Sequence, residues 1–230
     1  MEAQYANGIV AQRVVKNFGT EGSGVHILKG IDMVANSGEV IAVLGRSGSG
    51  KTTFLSLLGA LDRPSDGKIH ILGTETSGAS DASMESLRRS AIGFVFQSFN
   101  LLPLLTVAEN VDLPLRMLGL SREERRQRVQ TALGQVGLGR YLSRLPEEIS
   151  GGEQQRVAVA RALAKKSKIV LADEPTGHLD SLTAERIFGV LQSAARDQGA
   201  VVIIATHDGA IAAKSDRVLR IHDGILTESR

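Results

Sequence analysis

Gly45-Arg46-Ser47-Gly48-Ser49-Gly50-Lys51-Thr52 follows Val40 to Leu44, a run with no polar residue, and precedes an apolar stretch from Thr53 to Leu61. The octapeptide fits G-x-x-x-x-G-K-[ST] at every fixed position. Its glycines let the backbone wrap closely round phosphate oxygens. Successive N–H groups and the N-terminus of the following helix then point at negative charge. Lys51 is placed for the β- and γ-phosphates of a nucleotide and the Thr52 hydroxyl for Mg²⁺, with Thr53 continuing the loop into the helix. A Gly/Ser turn with a chance lysine does not need this setting. Five consecutive apolar residues read as a buried strand of a parallel sheet, and the loop joins that strand to a helix.

A second segment completes the chemistry. Ile169-Val170-Leu171-Ala172 reads as another buried strand, and it delivers Asp173 and Glu174 at its end. Asp173 is the candidate for the Mg²⁺ shell and Glu174 for the general base that polarises an attacking water. Strands are also expected at Ile9 to Val15, Val25 to Val34, Lys68 to Leu72, Ile92 to Phe96 and Val201 to Ala205. Turns are expected at 19–24, 36–39 and 64–67. Between Ser98 and Leu145 the pattern is mostly helical, with Ser121-Arg122-Glu123-Glu124 as a capping box. Arg125, Arg126 and Arg128 read as a solvated helix face, because Glu123 and Glu124 interleave with them. Strands and helices thus alternate at both ends around a helical insert. The expected fold is α/β, a mostly parallel sheet core with an antiparallel β portion and a helical subdomain. The expected organisation is a single domain over 1–230, with the core at about 1–96 and 151–230 and the helical subdomain at about 97–150.

Composition narrows the function. The 230 residues suit one large domain, and 42% apolar content is enough for a core. Lys and Arg total 27 against 25 Asp and Glu, so the net charge of +2 implies no bulk grip on nucleic acid or anionic lipid. Cysteine is absent, which excludes disulfides, thiolate zinc sites and cysteine nucleophiles. The five histidines include no i, i+4 pair. Aromatic content of 3% with no Trp argues against a base-stacking platform. No run approaches the ~20 apolar residues of a membrane span. Met1 to Asn7 lacks the pattern of a signal peptide. The expectation is a cytoplasmic chain with any membrane part supplied by another.

Ser150-Gly151-Gly152-Glu153-Gln154-Gln155-Arg156 discriminates between kinds of phosphate-loop protein. Ser150 and Glu153 alone form a capping box for a helix from Gln154 to Ala164. Two glycines there are costly unless something approaches the backbone closely, and an anion at the helix N-terminus explains them. The chain already has one phosphate loop. The segment resembles the signature motif of ATP-binding cassette (ABC) proteins, which in that family faces the γ-phosphate of ATP held by the other protomer. The resemblance runs from about Ile9 to Ser229. It implies a P-loop NTPase fold of the ABC ATPase type and ATP and Mg²⁺ as ligands. It further implies that Gln97 is the Q-loop glutamine contacting Mg²⁺ and the attacking water, and that His207 is the switch histidine near the γ-phosphate. His178, Leu179 and Asp180 fall in the D-loop crossing the dimer interface. Phe18 falls where an aromatic stacks on adenine, with Tyr5 a weaker candidate. Phe96 to Pro103, Leu105 to Val111 and Leu171 to Gly177 are similar to the lipoprotein-release and macrolide-export (LolD/MacB-like) subfamily. Three residues depart from its usual pattern: His178 for Asn, Ile149 for Leu, and Phe18 for the commoner Tyr.

The resemblance implies a head-to-tail homodimer across two ATPs, hydrolysis to ADP and phosphate, and a separate permease of the MacB/FtsX type. The permease docks a short helix near Gln97 to Val111, at the cytoplasmic face of the membrane. It also implies export or membrane extraction. An ABC ATPase that regulates a similar membrane partner without transport, of the cell-division or antibiotic-sensing type, shares every motif. ABC proteins that act on ribosomes or DNA usually carry two cassettes or a long coiled-coil insertion, and neither is present. A nucleotide kinase has no need of Ser150 to Glu153.

Overall fold

β3 (Val40–Leu44) is buried along its whole length. It pairs in parallel with β8 (Val201–Thr206) on one side and β9 (Arg217–His222) on the other. In the computed structural model, which describes residues 7–19 and 24–229, these belong to a six-stranded sheet ordered β10-β9-β3-β8-β7-β6. Here β6 is Ile92–Val95, β7 is Ile169–Asp173 and β10 is Ile225–Ser229. Only β10 runs antiparallel to its neighbour. Strand side chains alternate between faces, so the sheet feeds two cores. Val40, Val170, Val202 and Ile204 enter one, and Ile41, Val43, Leu171 and Ile203 enter the other.

The second core is closed by an antiparallel sheet ordered β2-β1-β4-β5: β1 (Gly8–Phe18), β2 (Val25–Asn36), β4 (Asp66–Ile71) and β5 (Thr74–Glu75). Ile9, Leu28, Ile31 and Ile69 from this sheet meet Phe54 of α1 (Lys51–Leu58). Most of the turn expected at 19–24 lies outside the described residues, as does Tyr5. α1 stops earlier than the apolar run suggests. At Gly59 a Cβ would stand 2.8 Å from the Phe94 ring, and Ala60 takes φ 53°. α2 (Asp81–Ser90) leads into β6.

The first core is covered by α3 (Val107–Arg116), α4 (Arg122–Gln135), α5 (Gly151–Ala164) and α6 (Ser181–Gln198), through Val111, Leu115, Leu133, Val157 and Leu191. A four-residue α7 (Gly209–Ala212) follows β8. The insert is less helical than expected, because residues 98–106 form a loop. Phe99 and Asn100 take φ 61° and 49°. Arg161 of α5 donates to both of their carbonyls, at 2.6 and 2.5 Å. Buried Asn110 ties the rest of the loop to α3, accepting from the Leu102 N–H and donating to the Leu105 carbonyl, both at 2.8 Å. The capping box expected at Ser121 is half formed. Ser121 accepts from the Glu124 N–H at 3.2 Å, but the Glu124 carboxylate pairs with Arg128. The complete box sits at Thr106 and Glu109. The solvated face expected at Arg125, Arg126 and Arg128 holds only for Arg126: Arg125 pairs with Asp112 of α3 and Arg128 reaches the Lys165 carbonyl, both largely covered, because α4 packs these arginines against its neighbours.

Candidate nucleotide site

Four parallel strands end on one side of the sheet, and a functional segment leaves each of them. The phosphate loop follows β3, Gln97 lies two residues beyond β6, Asp173 and Glu174 end β7, and His207 follows β8. This is the edge where open α/β sheets bind ligands. These residues line a single cleft of about 580 Å³, together with Ser47, Gly48, Gly50, Lys51, Thr52, Thr53, Ile27, Gly177 and His178.

The loop is held open toward negative charge. Gly48 and Gly50 take φ 77° and 103°, the left-handed region that favours glycine. Gly50 caps α1 without any side-chain hydrogen bond, so the first N–H groups of the helix are left for the cleft. A Cβ at Gly45 would lie 2.7 Å from the Ile221 carbonyl, so packing against β9 fixes the loop's entry. The Lys51 ammonium donates to the Gly45 carbonyl at 2.8 Å and the Arg46 carbonyl at 3.2 Å. The Ser49 hydroxyl is buried with no hydrogen-bond partner.

Opposite the loop stands a pair of carboxylates. Asp173 is 3% exposed and accepts from the Thr52 hydroxyl at 2.6 Å. Burial pushes its pKa up. The Glu174 charge adds to that, while the Thr52 hydrogen bond and Lys51 pull the other way. Glu174 adopts φ 49°, a strained conformation for a residue with a side chain. Its N–H donates to the Ala205 carbonyl at 2.9 Å. One carboxylate oxygen lies 3.0 Å from His207 Nδ1, and the other accepts from the Thr206 hydroxyl at 3.4 Å. The carboxylate is thus oriented from two sides beside the cleft, as a proton acceptor requires.

The Ser150 to Glu153 segment does not line this cleft. It opens α5 as a reciprocal capping box. The Ser150 hydroxyl accepts from the Glu153 N–H at 3.3 Å, and the Ser150 N–H donates to Glu153 Oε2 at 2.8 Å. That backbone donor is the main cause of a lowered Glu153 pKa. The two glycines differ. A Cβ at Gly152 would sit 3.1 Å from the His178 carbonyl, whereas Gly151 faces open space. Leu179 also packs at Gly152, and Asp180 caps α6 by accepting from the Thr183 N–H at 3.0 Å. Phe18 is 49% exposed at the end of β1, its ring 5.0 Å from the Lys16 ammonium, and it is not part of the cleft lining.

The sequence profile of the ABC transporter family matches residues 28–177. The chain belongs to the ABC transporter family. The LolD ATP-binding protein of the lipoprotein-releasing system of Geobacter metallireducens is 42% identical over 211 residues, 92% of this chain and 94% of that protein. The MacB macrolide export ATP-binding/permease protein of Rhodopirellula baltica is 44% identical over 204 residues, 88% of this chain but 30% of that protein. The chain therefore spans about a third of the MacB proteins it matches. The ATP-binding cassette MJ0796, solved as a dimer in a post-hydrolysis state with ADP and Pi, superposes with a TM-score of 0.92 at 39% identity. That match covers 96% of this chain and 98% of that one.

In this member of the ABC transporter family two features had no sequence signal. Ile27 lines the cleft from β2, outside any motif. Phe99 sets its ring edge-on to His178 with centroids 5.3 Å apart. That contact joins the segment after Gln97 to the segment after Glu174.

Proposed function

We propose that two copies of this ABC ATPase bind two ATP molecules between them and hydrolyse them to drive a membrane permease. The carrying observation is the separation of two half-sites within one chain. The phosphate cleft is assembled, while the Ser150–Gly151 end of α5 lies outside it with open space at Gly151. A partner copy arranged head to tail closes each cleft with its own signature segment. The dimeric assembly of the MJ0796 cassette supports this arrangement.

In the closed site Lys51 exchanges its two loop carbonyls for phosphate oxygens, and the capless end of α1 receives the remaining charge. Phe18 stacks on the adenine, with Ile27 beside the ligand. The Thr52 hydroxyl and Asp173 carboxylate offer two hard oxygens in direct contact, and no three metal-binding side chains cluster among the described residues. This donor set fits Mg²⁺, which keeps much of its shell for water and phosphate oxygens, with Gln97 at the rim. When bound, Mg²⁺ neutralises charge on the β- and γ-phosphate oxygens. Glu174 accepts the proton of the attacking water, and His207 keeps the carboxylate oriented. His178, Leu179 and Asp180 lie between the two clefts and transmit the state of each to the other.

We assign about 1–96 and 151–230 to the nucleotide-binding core and about 97–150 to a helical subdomain that meets the permease. Leu104 in the connecting loop is 90% exposed, which supports a partner on that surface. No helix among the described residues is long and apolar enough to cross a membrane. We place the protein at the cytoplasmic face of the membrane, held there by the permease. Export or extraction is the direction that similarity to MacB and LolD supports. Light scattering on Glu174→Gln tests the shared site. ATP without Mg²⁺ should double the mass of the monomer. An unchanged mass with ATP bound would refute Ser150 to Glu153 as the second half-site.

A further inference from the structure

Gln97 has no anchor of its own. Its side chain makes no hydrogen bond among the described residues. Gln97, Ser98 and Asn100 are all exposed. Phe99 alone in this stretch is half-buried, packed against the first core and edge-on to His178. The ring of Phe99 is therefore the side-chain attachment of the whole segment.

The partner ring comes from the neighbouring strand end. β6 and β7 are parallel, with Val95 beside Ala172, so the loops that follow them leave the sheet together. Each loop holds left-handed residues that carry side chains: Phe99 and Asn100 in one, at φ 61° and 49°, and Glu174 in the other, at φ 49°. Such conformations are costly and persist only where the surroundings over-determine them. Arg161 grips the first loop by its carbonyls. The second closes into two turns, with the Gly177 N–H donating to the Glu174 carbonyl at 3.2 Å and the Leu179 N–H to the Thr176 carbonyl at 3.1 Å. His178 stands on the second turn. Its carbonyl lies against Gly152 at the start of α5, and its side chain lines the nucleotide cleft.

Two uses of that side chain are distinguishable. As a polar group it would meet a ligand in the cleft. As a ring it meets Phe99, at a centroid distance of 5.3 Å and an interplanar angle of 78°, the edge-to-face geometry that aromatic pairs favour. The imidazole makes no hydrogen bond among the described residues, so the ring contact is the interaction that it does make. We infer that His178 is a positioning residue for hydrolysis: its ring clasps Phe99 and so keeps Gln97 at the cleft before any second chain arrives. The inference rests on the proposed hydrolysis for its consequence and on the ring pair for its mechanism.

Substitutions that separate ring from polarity test it on the full-length chain. His178→Asn keeps a polar group without a ring, and His178→Phe keeps a ring without the polar group. In His178→Asn, kcat for ATP should fall about fivefold, a factor of the size that an edge-on ring pair supplies. KM should stay within about twofold of wild type, as expected where positioning and not binding is lost. His178→Phe should recover kcat to within about twofold of wild type. Phe99→Leu should match His178→Asn, and the double variant should lose no more than about twofold beyond either, because the two residues act as one unit. Hydrogen exchange of the peptide spanning 97–101 should quicken about fivefold in His178→Asn and in Phe99→Leu, and not in His178→Phe. Full activity in His178→Asn with loss in His178→Phe would make the imidazole a polar group for the ligand and overturn the clasp. Additive losses in the double variant, or exchange unchanged in both single variants, would overturn it too. The exchange measurement needs no turnover, so it decides the clasp even where the hydrolysis reading fails.

Discussion

The two helix N-termini proposed to meet phosphate are built in opposite ways. α1 begins at a left-handed glycine with no side-chain cap, and its donors open onto the cleft. α5 begins with Ser150 and Glu153 satisfying each other, and they do not line that cleft. The first end is left incomplete by its own chain, so a ligand can complete it. The second is complete as it stands and costs nothing while it waits. A helix terminus that a chain can use alone needs its donors free. One that serves a neighbouring copy must stay folded and soluble without its ligand, and a capping box does that.

Substitutions at the two ends should separate along this line. Lys51→Ala removes the cation at the uncapped end, and tight nucleotide binding should be lost in a titration with a fluorescent ATP analogue. Glu174→Gln keeps the cleft and its binding, yet turnover should fall by about 10²–10⁴, the span expected for losing a general base. Wild-type phosphate release in that variant would move the base elsewhere. At the capped end, Ser150→Ala should leave ATP binding by the monomer unchanged. It should cost about 1 kcal/mol of stability in thermal unfolding. The smallest effect belongs to Glu153. Its folded pKa lies below the ordinary value near 4.5, so its contribution is full above that value and is lost as pH falls through the lowered one. The melting difference between wild type and Glu153→Gln should therefore shrink as the solution is acidified below about pH 4.5. A difference that is flat through this range would mean that the carboxylate contributes no charge-dependent cap.

Much of the candidate site is legible in the sequence because its parts are short and sit at strand ends. Gly45 to Thr52 and Asp173–Glu174 each follow a buried apolar run, and that local order fixes where they emerge. Gln97 and His207 gain meaning from the same placement. The signature glycines were legible only in part. An anion explains both from sequence, yet Gly152 also answers to the His178 carbonyl, a contact across 26 positions (178 against 152). The loop at 98–106 misled for a similar reason. Its leucines suit a helix, but Arg161 and Asn110 hold its carbonyls from outside. Local pattern cannot show a side chain arriving from elsewhere in the chain. Ile27 was invisible because neither its type nor its spacing differs from an ordinary strand residue.

α5 has one more consequence, a mechanical one. Its 14 residues make a rod of about 21 Å, with Ser150 at one tip and Lys165 at the other. Arg161 bolts the far third of that rod to the backbone of Phe99 and Asn100. Pivoted there, a tilt of about 5° moves the Ser150 tip by about 1.4 Å and Lys165 by only about 0.5 Å. In the proposed dimer the helix is thus a lever arm whose long end reaches the neighbouring copy's nucleotide, and its gearing is set by where Arg161 is fastened.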